Sequence, residues 1–132
     1  MTCRGAGRVD FRSINVLILD VDGVLTDGRL QFGSDSEDVK AFCTQDGCAI
    51  KSWQRAGYRT AILSGRRHAA VERRAAELGI TCVKQGEGDK GEGYRAVCEL
   101  VGTSDAHVCY VGDDLPDLVP MSRCAFPAAV AN

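Results

Sequence analysis

Asp20 and Asp22 stand two residues apart at the end of a run of β-formers, Val16-Leu17-Ile18-Leu19, and Gly23 follows them at once. Residues i and i+2 of a strand share a face, so the two carboxylates lie side by side where the strand ends. Like charges placed together in that way call for a cation, or for an anion bridged to them by one. In open α/β sheets the carboxyl ends of the strands are where ligands bind. The pair therefore predicts a strand-and-turn unit at the ligand-binding edge of a parallel sheet.

The remainder of the chain repeats that unit. Strands are predicted at 15–21, 59–63, 81–84, 107–111 and 124–128, with helices at 47–56, 67–78, 91–101 and a short one at 115–122. Gly57 and Gly79 follow two of the helices where a left-handed cap is wanted, and Gly102 with Ser104-Asp105 punctuates the link after the third. Alternating strands and helices with short connections predict an α/β fold, a Rossmann-like three-layer sandwich around a mostly parallel sheet. Leu30 and Phe32 alternate with polar residues, as do Val39 and Ala41, around turn chemistry at 33–38. This predicts a β-hairpin insertion at about 25–42, projecting close to the two aspartates. Between Asp22 and Ser64 lie 41 residues, and between Ser64 and Lys90 lie 25, which the hairpin, helices and strands consume. No cap domain fits, and residues 1–132 read as one domain with a loose lead-in at 1–13.

Charge and cysteine usage narrow the partners. Sixteen basic against 18 acidic side chains give a net charge of −2, so there is no broad positive field for nucleic acid or an anionic membrane. Arg67, Arg73 and Arg74 read as a solvated helix face. The seven cysteines include no Cys-x-x-Cys pair. Cys82, Cys109 and Cys124 fall in predicted strands among apolar neighbours, where a free thiol packs as a small hydrophobe. With no secretory signal or membrane-length apolar run, a reducing cytoplasm is the expected location.

Three further motifs end predicted strands: Ser64-Gly65-Arg66, Gln85-Gly86-Glu87-Gly88-Asp89-Lys90, and Gly112-Asp113-Asp114-Leu115-Pro116-Asp117. Their order has a chemical logic. A carboxylate attacking a phosphate monoester is an anion approaching an anion. Asp20 with Asp113 offers hard oxygen ligands for Mg²⁺, and Lys90 a compact positive charge for phosphate and for Asp20. The Ser64 hydroxyl and the N–H groups of the Gly65-Arg66 turn can hold phosphoryl oxygens at a helix N-terminus. Asp22 fits a general acid–base. Singly, these residues have blander readings: Ser64 a helix cap, Lys90 a surface lysine, the acidic pair a calcium loop or part of a receiver-type domain. The distal acids of an EF-hand are absent, and a receiver's phosphorylated Asp belongs on a later strand. His68, on a helix, and His107, opening a strand, read as structural; Trp53 reads as core or interface packing, and the 35–38 run as a solvated turn.

Four motifs in this order resemble the haloacid dehalogenase-like phosphotransferases, over 15–132. The resemblance implies Asp20 as nucleophile, Asp22 as acid–base, and Ser64 and Lys90 as phosphate ligands. It implies Asp113 and the Asp22 main-chain carbonyl as Mg²⁺ ligands beside Asp20, with Asp117 or Asp114 supporting Lys90 or a metal-bound water. Asp20-Val-Asp-Gly-Val-Leu-Thr-Asp-Gly28, Lys40-Ala-Phe42, Asp46-Gly47 and Tyr110-Val-Gly-Asp-Asp-Leu-Pro-Asp-Leu118 are similar to the 3-deoxy-D-manno-octulosonate 8-phosphate phosphatase family, whose relatives act on nonulosonate 9-phosphates. That family implies a small acidic sugar phosphate as partner, Arg66 meeting it, 42–47 bordering the site, and a homotetramer in which each hairpin covers a neighbour's pocket. It also implies a C-terminal tail beyond the stretch that matches here, and more often has a basic and a bulkier residue where this chain has Gln45 and Cys48. A non-catalytic oligomerisation domain, like the tail of acylneuraminate cytidylyltransferases, and a sugar phosphotransferase are the alternatives.

Overall fold

The computed structural model describes residues 9–34 and 38–131. Its central sheet has five strands, all parallel: β1 (Val16–Leu19), β4 (Arg59–Leu63), β5 (Cys82–Lys84), β6 (Val108–Gly112) and β7 (Phe126–Ala129), in the order β5-β4-β1-β6-β7. Between them run α1 (Thr44–Arg55), α2 (Ala69–Leu78), α3 (Lys90–Val101) and the short α4 (Leu118–Arg123). The chain steps from β1 outward to β4 and β5, then crosses back to β6 and β7. The order therefore reverses beside β1, and that reversal opens the ligand crevice of such sheets. The α/β sandwich read from the sequence is the observed fold.

Strand parity sorts the core into two halves. Val16 and Ile18 face Tyr94, Val97 and Cys98 of α3. Leu17 and Leu19 turn to the other face, with Ile50 of α1 and Val71, Ala75 and Leu78 of α2. Both faces of β1 are thus covered, as near-continuous apolar runs in parallel sheets require. Each fully buried aliphatic or aromatic side chain stabilises the fold by roughly 1.5–3 kcal/mol. Left-handed Gly79 (φ 73°) and Gly102 (φ 71°) close α2 and α3 at the positions predicted for a cap and for the link.

The hairpin consists of β2 (Gln31–Phe32) and β3 (Asp38–Val39), paired antiparallel, with Phe32 and Val39 exposed. At the flanks of the predicted insertion, Leu25 is buried and Phe42 packs against the same cluster, so both ends join the core. Most of the 35–38 run lies outside the described residues; Asp38 begins β3.

Four expectations need correcting. From Val9 onward the lead-in is anchored: residues Phe11–Ser13 form a 3₁₀ turn, Phe11 meets Phe126 edge-on at 5.0 Å, and the Ser13 carbonyl lies 2.8 Å from His107 Nδ1. Residues 1–8, including Cys3, lie outside the described residues. His68 is not inside a helix but caps α2, its Nδ1 accepting from the Ala70 N–H at 3.0 Å. His107 closes a 3₁₀ turn just before β6, and Cys124 is the buried cap of α4 just before β7. The other expectations for cysteine and tryptophan fit: Cys82 and Cys109 lie in strands, the described cysteines are free, and Trp53 is half-buried, stacked 4.3 Å from Tyr58. No described helix is long and apolar enough to cross a membrane.

Candidate active site

Asp20 follows β1, and its N–H donates to the Val111 carbonyl at 3.0 Å, so the ladder with β6 continues into the site. Its parity is that of Val16 and Ile18, toward α3. Because α3 begins at Lys90, the Lys90 ammonium reaches Asp20 Oδ1 at 2.9 Å. The Val21 N–H donates to the same oxygen at 2.7 Å. Burial pushes the Asp20 carboxyl up to about 7, against the opposing hydrogen bond and charge of Lys90.

Lys90 is held from its other side by Asp117, whose Oδ1 lies at 2.6 Å. Asp117 is fully buried and accepts four bonds: Lys90 and the Tyr110 hydroxyl (2.7 Å) on Oδ1, the Asp113 N–H (3.0 Å) and Asp114 N–H (3.2 Å) on Oδ2. Burial alone would raise its pKa, but these bonds hold it below the ordinary carboxylate value. Of the two supporting acids left open by the sequence, Asp117 is the one on Lys90. Asp114 caps the following 3₁₀ turn, its Oδ1 accepting from the Leu115 N–H.

Carboxylate oxygens of Asp20, Asp113 and Asp117 lie within 4.8 Å of one another, a spacing that suits a divalent cation. Asp117 is already saturated by its four donors. Asp20 and the exposed Asp113 are therefore the carboxylates able to offer oxygen to a hard cation, which matches the donor preference of Mg²⁺.

Ser64 directly follows β4 and is buried; its Oγ accepts from the Arg66 N–H at 3.3 Å. The expectation that it sits at a helix N-terminus fails, because α2 starts five residues later and His68 caps it. The turn between is fixed by Gln85, whose side-chain oxygen accepts from the His68 N–H at 2.9 Å. One pocket is lined by Asp20, Asp22, Ser64, Gly65, Arg66, Lys90, Asp113 and Asp114, together with Glu87, Gly88 and Pro116. All the predicted site residues but the buried Asp117 line it. The sequence reading missed Glu87 as a wall, Tyr110 as an anchor of Asp117, and Lys40, which forms an ion pair with Asp22 Oδ1. A buried tyrosine two residues before Gly112 was a usable signal; the reach from Lys40 to Asp22 was not.

Gly112, at the end of β6, shows how tight this corner is. A Cβ there would come 2.5 Å from Asp117 Cβ and 2.6 Å from its Cγ. Gly112→Ala is expected to displace Asp117 and cost about 1–3 kcal/mol, as overpacking does; urea unfolding beside wild type measures it, with unchanged stability the contrary result.

These strand ends, with a lysine between two acids and a serine lining the same pocket, define a class of hydrolase that handles phosphate on a parallel α/β sheet. A model of the haloacid dehalogenase-like hydrolases matches residues 46–124, and the chain belongs to that family. Among its relatives is the 3-deoxy-D-manno-octulosonate 8-phosphate phosphatase of Escherichia coli K12, 38% identical over 99% of this chain and 72% of that protein. The fold is shared with the Moraxella catarrhalis enzyme of the same name, crystallised with magnesium, phosphate and KDO (TM-score 0.89, 38% identity, 92% of this chain and 70% of that one). A probable YrbI family phosphatase from Pseudomonas syringae pv. phaseolica 1448a is 45% identical, covering 92% of this chain and 69% of its own, at a TM-score of 0.89.

Proposed function

We propose that the protein is a Mg²⁺-dependent phosphatase of an acidic sugar phosphate, 3-deoxy-D-manno-octulosonate 8-phosphate or a related nonulosonate 9-phosphate, working through an aspartyl-phosphate at Asp20. One observation carries the reading: the Lys90 ammonium clamped between Asp20 and Asp117 on the floor of a pocket that Ser64 and Asp113 also line. The names of the relatives support the substrate class.

In this reading Asp20 attacks phosphorus while the bond to the sugar oxygen breaks and Asp22 gives that oxygen a proton. Asp22 then takes a proton from the water that attacks the aspartyl-phosphate, freeing phosphate and restoring Asp20. Lys90, the Ser64 hydroxyl and the Gly65-Arg66 amides hold the phosphoryl oxygens, and Arg66, exposed at the rim, meets the sugar acid. Asp20, Asp113 and the Asp22 carbonyl would hold Mg²⁺, which when bound offsets the repulsion between the attacking carboxylate and the phosphate. Asp117 positions Lys90 and the Asp113 loop rather than touching substrate. A single domain at 1–132 and a tetramer with hairpins over neighbouring pockets fit the same reading, because a site without a cap needs another means of excluding water.

The test is phosphate release from octulosonate 8-phosphate, with nonulosonate 9-phosphates and neutral sugar phosphates in parallel. Turnover is expected only for the acidic sugars and is expected to vanish with EDTA and return with excess Mg²⁺. Activity indifferent to chelation, or confined to neutral sugars, would contradict the proposal.

A further inference from the structure

Beyond the pocket floor, the Asp22 carboxylate has one bonding partner among the described residues, and it comes from the hairpin. Lys40 directly follows β3, and its ammonium pairs with Asp22 Oδ1 although the two are 18 residues apart. The Lys40 side chain is only 6% exposed, against 22% for that of Asp22, so the pair is withdrawn from water on the lysine side. A lysine on a surface strand normally keeps its charge in solvent, with its stem laid along the surface. Here the ammonium is turned inward instead. The strand that presents it is itself pinned, because the Asp38 carbonyl lies 3.0 Å from His68 Nε2. His68 in turn caps α2 and is bonded to Gln85. The return strand of the hairpin is thus fixed to the body of the protein on both sides of Val39, and its lysine meets the acid–base group.

We propose that Lys40 is a positioning residue for Asp22, acting on the step in which the leaving group is protonated; the inference rests on the phosphatase reading above. As the bond from phosphorus to the sugar oxygen breaks, that oxygen takes the proton from Asp22, which is left as a carboxylate. Lys40, bonded to Oδ1, fixes the rotation of the carboxyl so that Oδ2 is directed to the leaving oxygen. It also stands beside the negative charge that the transfer leaves behind. The same contact makes the hairpin part of the chemistry: an element whose strands are exposed sets the orientation of a group in the pocket. A positioned acid contributes about 10²–10⁴-fold to such a step, and misorienting it forfeits part of that factor.

The dependence on leaving group separates this role from a structural one. An alkyl oxygen of a sugar needs the proton; nitrophenolate departs without it. With the full chain and Mg²⁺, Lys40→Met is expected to slow single-turnover release of the sugar from the octulosonate ester about 10–100-fold, with little change in the concentration of ester that half-saturates it. In single-turnover release of nitrophenolate from p-nitrophenyl phosphate, which precedes the water step both esters share, the loss is expected to stay within about threefold, and Asp22→Asn should show the same contrast more steeply. Lys40→Arg, which keeps a cation at that site, is expected to recover most of the rate. Equal losses in the single-turnover release of both leaving groups in an otherwise active protein, or no loss in either, would overturn the role of Lys40 and leave the phosphatase reading intact. Wild-type protein inert toward both esters would overturn the phosphatase reading itself, and this inference with it.

Discussion

Asp20→Asn is expected to abolish turnover of the sugar phosphate, by a factor on the order of 10⁴ or more, while leaving the protein folded. The factor follows from the role proposed for Asp20, since losing a nucleophile costs a catalytic unit most of its rate. The folding side of the prediction comes from the buried charge. Burial pushes the Asp20 carboxyl up to about 7, from an ordinary 3.8. An acid whose folded pKa is raised weakens the fold as it ionises: the penalty starts above about pH 4 and is complete above about pH 7. Asparagine carries no such charge, and its side-chain oxygen can still accept from Lys90, which keeps Asp117 at 2.6 Å. In metal-free buffer the variant is therefore expected to gain on wild type between pH 5 and pH 8, by an amount on the order of a few kcal/mol at most. Added Mg²⁺ should stabilise wild type and not the variant, because a ligand stabilises only the state that binds it. Chemical unfolding at pH 5 and pH 8 with and without Mg²⁺, beside a phosphate-release assay, tests all three. Residual turnover near the wild-type rate would remove Asp20 as nucleophile.

This opposition between function and stability explains which parts of the molecule could be read from its sequence. The strands were legible because each has a side to bury: Val16 and Ile18 against α3, Leu17 and Leu19 against α1 and α2. Four strand-end motifs were legible for the opposite reason, since Asp20, Lys90 and Asp117 violate the apolar pattern where a buried charge needs partners. What could not be read was local geometry set by distant contacts. Ser64 looks like a helix cap in sequence; the turn it enters is fixed instead by Gln85 on the next strand unit, which moves the start of α2 to Ala69. Phe11 was read as part of a loose lead-in because its partner, Phe126, lies at the far end of the chain. Lys40 was hidden in an alternating strand pattern in which a lysine is expected to face water. Asp114 and Asp117 could be separated only by seeing which carboxylate meets Lys90 and which caps the turn.

Asp117→Ala is expected to be the most destabilising single change in the site, by about 3–5 kcal/mol, because breaking a buried ion pair leaves the other charge uncompensated. Four donors lose their acceptor together: the Lys90 ammonium, the Tyr110 hydroxyl, and the N–H groups of Asp113 and Asp114. Lys90 then has only Asp20, whose carboxylate is itself costly to ionise at that depth. Asp117→Asn keeps the shape but offers one acceptor oxygen where two are used, so it is expected to fall between alanine and wild type. The pH dependence fixes the sign. A carboxyl held below its ordinary value contributes stability that is present above about pH 4 and fades as the pH falls through the folded value. The gap between wild type and Asp117→Ala in urea unfolding should accordingly narrow below pH 4. Mg²⁺ affinity should weaken in the same variant, since the loop bearing Asp113 loses the carboxylate that holds its backbone. A variant as stable as wild type at pH 7, with undiminished Mg²⁺ binding, would mean that Lys90 and the Asp113 loop are placed by something other than this carboxylate.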